Sequence, residues 1–376
     1  MKTRTVPCTV LVLAAALLAS CAEEDRPAVR GSWPGFRATP GRTGCTDAKG
    51  PRKKPRVLWT FPLGHKIVSS AAVGDGTVYF GAYNKVVYAL AADTGKESWR
   101  YVATGPVKSS PLLMEDTLYV AVLPARGSRN GAICALKRAD GSVLWRREIP
   151  LGASASPAGA KDTIVLGDLG CCIRGFDART GEERWTAETG DRVRSSTAVD
   201  GTSCYQGTKA GYLLALGAGD GKERWRFRAG GTILSTPAVT PERIFFGSGD
   251  RTFYALRRER GTLAWKVTAD APIDASPAVG EDLVCFAAVD GSLYGLHPVT
   301  GGVKWIHRTR GEMQASPILS KKTVYAAAGN VIFAVERSSG GFLWERELDG
   351  AVSASPALVD GVLYIGTEAG TMYALR

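Results

Sequence analysis

The sequence predicts an all-β chain: an eight-bladed β-propeller of four-stranded blades, closed by an N-terminal strand that completes the last blade. Three observations carry this. Tryptophan recurs at Trp59, Trp99, Trp145, Trp185, Trp225, Trp265, Trp305 and Trp344, with spacings of 40, 46, 40, 40, 40, 40 and 39 residues. A hydroxyl residue follows each by 11 positions, at Ser70, Ser110, Ser156, Ser196, Thr236, Ser276, Ser316 and Ser355. Between these marks lie short runs of alternating polarity, with nothing of helical length or period. A chain of 376 residues would ordinarily suggest two or three domains. A repeat near 40 residues with four strands per unit instead points to propeller blades.

Residues 66–102 show the unit. Lys66 to Val73 is a strand of small and apolar residues, and Asp75-Gly76 is a turn. Thr77 to Ala82 is β-branched and aromatic, Lys85 to Leu90 is a third strand, and Glu97 to Val102 is the fourth. The third strand recurs eight times around a small middle residue, from Tyr88-Ala89-Leu90 to Tyr373-Ala374-Leu375, which suggests close approach of a neighbour. Gly-x-x-x-Trp follows the first seven copies, from Gly95–Trp99 to Gly340–Trp344. The eighth copy ends at Arg376 without a fourth strand, whereas Val57 to Phe61 around Trp59 is a fourth strand with no blade before it. Each fragment completes the other, which closes the ring, removes long exposed edges and makes one monomeric domain over residues 57–376. Each tryptophan is expected to wedge between blades, so that Trp225→Ala costs about 3–5 kcal/mol.

The N-terminus reads as an address. Lys2 and Arg4 precede an apolar run from Val10 to Ala19, too short to span a membrane as a helix and of the right length for a signal peptide over residues 1–20. It ends in Leu18-Ala19-Ser20-Cys21, which resembles the bacterial lipobox. That resemblance implies cleavage before Cys21, acylation of its thiol, and a place in the cell envelope. Ala22, not Asp, follows the cysteine, which by the same analogy favours the periplasmic face of the outer membrane. Residues 21–56, rich in charge, Pro and Gly, read as the lipidated Cys and a flexible tether. Within it, the aromatics of Trp33-Pro34-Gly35-Phe36-Arg37, followed by Gly41-Arg42-Thr43-Gly44, are placed to pack on the propeller surface.

The Gly-x-x-x-Trp element after a Tyr-Ala-Leu strand resembles the repeat of pyrroloquinoline-quinone-type propellers. The fuller form Asp-x-x-Thr-Gly-x-x-x-Trp stands at Asp177, Thr180, Gly181 and Trp185, while Ala91, Lys137 and Gly217 replace its Asp elsewhere. Lipobox, tether and compact ring together resemble the lipoprotein propeller subunits of the outer-membrane β-barrel assembly machinery. The resemblance implies a membrane-anchored periplasmic scaffold that binds a protein partner in outer-membrane assembly and is not an enzyme. The alternative it leaves open is a quinone- and calcium-dependent dehydrogenase or a propeller that binds another small ligand.

The residues themselves weigh on that choice. With three histidines, His65, His297 and His307, the chain is poor material for a His-based metal site or general base. A net charge of +11 reads as a soluble basic surface that would also suit anionic lipid or an acidic partner. The one dense run, Arg52-Lys53-Lys54-Pro55-Arg56, comes with no nucleic-acid motif, so no nucleic-acid role is expected. Two positions before each hydroxyl stand Val68, Lys108, Ser154, Arg194, Leu234, Asp274, Gln314 and Ser353, of which Lys108, Arg194, Asp274 and Gln314 are the candidate channel-lining polar residues. Asp274, even with Glu312, falls short of the six to eight oxygens Ca²⁺ takes. A quinone carboxylate would have Lys108 or Arg194 to pair with. Adjacent Cys171 and Cys172 favour the enzyme reading, since such pairs occur as strained disulfides in some quinone dehydrogenases. Cys134 and Cys285 replace aromatics of other blades and read as core thiols, while pairing among Cys45, Cys171, Cys172 and Cys204 stays open. No catalytic, cofactor or metal residue is assigned.

Overall fold

Strands form where the alternating runs predict them. The computed structural model describes residues 31–376, and the leader over 1–20 and Cys21 lie outside the described residues. All regular elements among the described residues are strands, which pair antiparallel in eight sheets of four. The blades are numbered here from their inner strands, Ala72–Gly74, Leu112–Met114, Ala158–Ala160, Ala198–Val199, Ala238–Val239, Ala278–Val279, Ile318–Leu319 and Ala357–Val359. The eighth sheet is completed by Val57–Pro62, which runs antiparallel to Thr371–Leu375 with Val57 opposite Leu375 and Pro62 opposite Thr371. The ring therefore shuts as the orphan Trp59 strand predicts.

The middle strands are buried on both faces, as in Val86–Ala91, because neighbouring blades cover them. The outermost strands alternate half-buried and exposed residues, as in Glu97–Val102, because only one face meets a neighbour. The inner strands differ from expectation. Ladder pairing in blade 1 covers only Ala72–Gly74, not the whole of 66–73. Near the axis the blades crowd together, and the backbone ahead of this ladder bonds to other partners: Ile67 N–H to Thr367 O, and Ser70 N–H to Ser110 Oγ.

The tryptophans explain two repeat positions at once. Each lies opposite the small residue of the third strand, as in Ala215 with Trp225 and Gly295 with Trp305. A Cβ on Gly295 would stand 2.2 Å from the Trp305 ring, so the small side chain makes room within the blade. The indole also reaches the next blade. Trp225 Nε1 donates to Arg258 O at 3.1 Å, and its ring covers Gly261, whose φ of +62° and absent Cβ both suit the contact. Six other tryptophans, Trp59, Trp99, Trp145, Trp185, Trp265 and Trp305, make the equivalent bond to the next blade. Blade 8 lacks a turn to receive the bond from Trp344, and Pro51 O from the N-terminal segment accepts it instead, at 2.8 Å.

Candidate functional site: the two mouths of the channel

The periodic hydroxyls meet at the axis. Ser70 N–H donates to Ser110 Oγ, Ser110 N–H to Ser156 Oγ, and the relay passes through Ser196, Thr236, Ser276, Ser316 and Ser355 until Ser355 N–H returns to Ser70 Oγ. The eight bonds, 2.8–3.1 Å long, form one closed circle. They satisfy inner-strand amides that have no ladder partner, which a buried backbone requires. Ser276→Ala removes one acceptor and leaves Thr236 N–H orphaned. The expected loss is about 1–3 kcal/mol, read as a shift of the urea unfolding midpoint.

One side of this circle is sealed, and here the tether reading is corrected. From Gly31 onward the segment is packed against all eight blades. Gly31 N–H donates to Asp360 in blade 8, and Trp33, 1% exposed, exchanges two backbone bonds with Val73 in blade 1. The carbonyls of Pro34, Pro40, Gly41, Thr43 and Gly44 then accept from Leu113, Val199, Val239, Val279 and Leu319 in blades 2, 4, 5, 6 and 7. Blade 3 is reached by Arg42, whose guanidinium donates to Pro157 O at 2.6 Å, to Phe36 O at 2.6 Å and to Thr197 O at 2.9 Å. Arg37 donates to Pro277 O and Pro317 O. The carbonyls of 157, 197, 277 and 317 follow hydroxyls of the circle, so each arginine forks across two blades.

Both arginines are 1% exposed, and neither pairs with a carboxylate among the described residues. Backbone dipoles carry the compensation. Burial pulls both guanidinium pKa values down to about 9, and both stay cationic at neutral pH. The plug holds its shape through successive turns, Ala38 N–H to Gly35 O, Arg42 N–H to Thr39 O and Gly44 N–H to Arg37 O, with Arg37, Ala38 and Arg42 all at positive φ. Such backbone persists only when its surroundings fix it.

The other mouth is open to water. Lys108, Arg194, Asp274 and Gln314 are all exposed there, while Val68, Ser154, Leu234 and Ser353 are half-buried. The crowded funnel wall and the Arg194 charge pull the Lys108 pKa below its ordinary value. Asp274, partly enclosed, has its carboxyl pushed up by burial. On the rim Lys66 pairs with Glu368 at 2.7 Å and holds that carboxyl below its usual range. The extension in blade 2, Leu123 to Gly131, joins Thr117–Val122 to Asn130–Lys137 beside this mouth, where Leu123 N–H donates to Pro106 O. Cys172 N–H donates to the buried Asp168, whose other oxygen takes Arg174 Nε at 2.7 Å.

The chemistry of these groups does not fit a calcium–quinone centre. Among the described residues no three of His, Cys, Asp and Glu cluster as a metal would need. Asp274 is the one carboxylate in its ring of eight. Cys171 and Cys172 are free thiols, as are Cys45, Cys134, Cys204 and Cys285, with the last three buried. Sequence reasoning marked the periodic hydroxyls and offered Lys108, Arg194, Asp274 and Gln314 as candidate channel-lining residues. It placed the aromatics around Trp33 on the propeller surface but did not foresee the plug that Arg37 and Arg42 hold.

Comparison with known proteins follows the same division. The family model described as outer membrane protein assembly factor BamB matches residues 52–172 and 171–376. The tetrathionate hydrolase of Acidithiobacillus ferrooxidans is 31% identical over 151 residues, 34% of this chain and 30% of the hydrolase, so the match spans about a third of that relative. The crystal structure of BamB from Moraxella catarrhalis superposes with a TM-score of 0.75 at 16% identity, over 86% of this chain and 99% of that one. Quinohemoprotein alcohol dehydrogenase from Comamonas testosteroni gives 0.76 at 15% identity, over 94% of this chain and 81% of that one. At such identities the superpositions show a shared propeller fold. With a family model that covers the whole ring, this chain belongs to the outer membrane protein assembly factor BamB family.

Proposed function

We propose that the chain is a membrane-anchored periplasmic scaffold that presents the loops of its propeller to a protein partner in outer-membrane protein assembly. The observation that carries this reading is the plug. It fills one mouth with backbone and two arginines, which leaves the loops around the other mouth and its funnel open to water. A pocket that takes most of a small ligand out of water is the usual mark of catalysis, and the funnel is polar and open. Family membership supports the same direction. Cys21 would hold the propeller at the membrane, and Lys108, Arg194 and the blade 2 extension would lie on the presented face.

The short match to a hydrolase favours a second reading, an enzymatic propeller. The two part in one pair of experiments. Affinity capture of the intact protein from its native host is expected to co-purify an outer-membrane barrel-assembly component. Capture without any such component, together with dye-linked dehydrogenase activity on addition of quinone and Ca²⁺ or with turnover of tetrathionate, would overturn the scaffold.

A further inference from the structure

The plugged face carries a localised positive patch at the point where the chain leaves it toward Cys21. Gly31 is bonded to Asp360, in the turn Asp360-Gly361 of blade 8. A Cβ on Gly361 would stand 3.4 Å from Lys49 O, so the same turn is flanked by the chain's exit on one side and by the start of residues 49–56 on the other. That basic stretch is pinned to the rim. Pro51 O accepts from Trp344 Nε1 at 2.8 Å and from the Tyr325 hydroxyl at 3.2 Å, and Pro55 O accepts from Arg346 at 2.6 Å. Lys53 and Lys54 between these pins are exposed. Lys321 and Lys322, in the adjoining turn of blade 7, are exposed too and share a groove with Arg52, Arg337, Asp282 and Glu336, in which the two carboxylates pair with the two arginines. None of these four lysines has an ion pair among the described residues.

The rest of the face is mixed in sign, with Lys161 in blade 3 and Arg257 and Arg260 in blade 5 exposed on it. The matching turns of blades 1, 2, 5 and 6 carry Asp75, Asp116, Glu242 and Asp282. The corner between blades 7 and 8 gathers these four lysines, and it is also where the chain departs. Nine residues lie between Cys21 and Gly31, ten steps of chain that span at most about 36 Å. We propose that this corner is a second membrane contact, which docks edge-on against the headgroups of anionic phospholipids. It deepens the anchored-scaffold reading, on which it rests for the position of the membrane. Lipid anchors commonly need such a second signal, and a polybasic patch beside the chain is one form of it.

The test uses the mature full-length protein, offered vesicles of phosphatidylcholine and vesicles containing phosphatidylglycerol in one mixture. The wild-type protein is expected to favour the anionic vesicles. Each of K53Q, K54Q, K321Q and K322Q should lower that ratio by about fivefold, the quadruple variant should abolish it, and 0.5 M salt should do the same. K209Q with K266Q, exposed lysines elsewhere, should leave it nearly unchanged. No anionic preference in the wild type, or an equal loss in the K209Q/K266Q control, would overturn the contact. The intact mass of the mature chain reports acylation of Cys21 separately, so a missing anchor and a missing lipid contact give different results.

Discussion

Arg42→Ala is expected to destabilise the protein by about 3–5 kcal/mol and to release the plug while the ring stays shut. Among the described residues this side chain carries the hydrogen bond by which the N-terminal segment reaches blade 3, and it binds blade 4 at the same time. Truncation leaves the carbonyls of Phe36, Pro157 and Thr197 without these donors in a buried site. Each orphaned acceptor costs about 1–3 kcal/mol, and bonds from a charged donor lie at the strong end of the range. The total is limited by the alternative open to the chain, which is to let the plug swing out and admit water. Closure does not depend on the plug, because Val57–Pro62 keeps its ladder to Thr371–Leu375. Two readouts separate these effects. The urea midpoint should fall, and limited proteolysis should cut within residues 31–50 while the ring resists. Arg42→Lys should rescue little, because an ammonium cannot fork to carbonyls on two strands.

The second large effect lies at the blade wedges. Trp344→Ala should cost about 5 kcal/mol and Trp225→Ala about 3 kcal/mol, within the range for removal of a large aromatic. The difference follows from burial. Trp344 is 3% exposed, packs beside Tyr325 with centroids 6.0 Å apart, and donates to Pro51 of the N-terminal segment. Trp225 is half-buried and keeps Tyr205 as its aromatic neighbour. Trp344→Ala also loosens residues 49–56, so its proteolysis pattern should add cuts in that stretch that Trp225→Ala does not produce. Equal losses at the two sites, measured by equilibrium unfolding, would contradict the part given to the N-terminal segment in blade 8.

The ring was legible in the sequence because its packing is periodic. A tryptophan that covers a glycine of the next blade must recur in every blade, and so must a hydroxyl that accepts the neighbouring blade's amide. The orphan strand at Trp59 likewise announced how the ring shuts. The plug is used once and has no period. Pro34, Gly35, Gly41 and Gly44 read as linker residues, and arginine is ordinarily a surface residue. Arg37 and Arg42 acquire their partners only when carbonyls from four blades, more than 100 residues away in sequence, converge on the axis. The same limit applies to Pro51, whose carbonyl stands in for a turn the eighth blade lacks. Lys108 and Arg194 could be placed at the channel from their spacing, but their mutual repulsion appeared only in three dimensions.

The central claim is that the segment before the ring is a built-in plug and that the channel therefore has one open mouth. Hydrogen–deuterium exchange tests it at single amides. Val73, Leu113, Val199, Val239, Val279 and Leu319 donate to carbonyls of the plug. They are predicted to exchange as slowly as the middle strands of their own blades, and to lose that protection together in Arg42→Ala. Rapid exchange of these six amides in the wild-type protein, with residues 33–46 as unprotected as a free chain, would contradict the account.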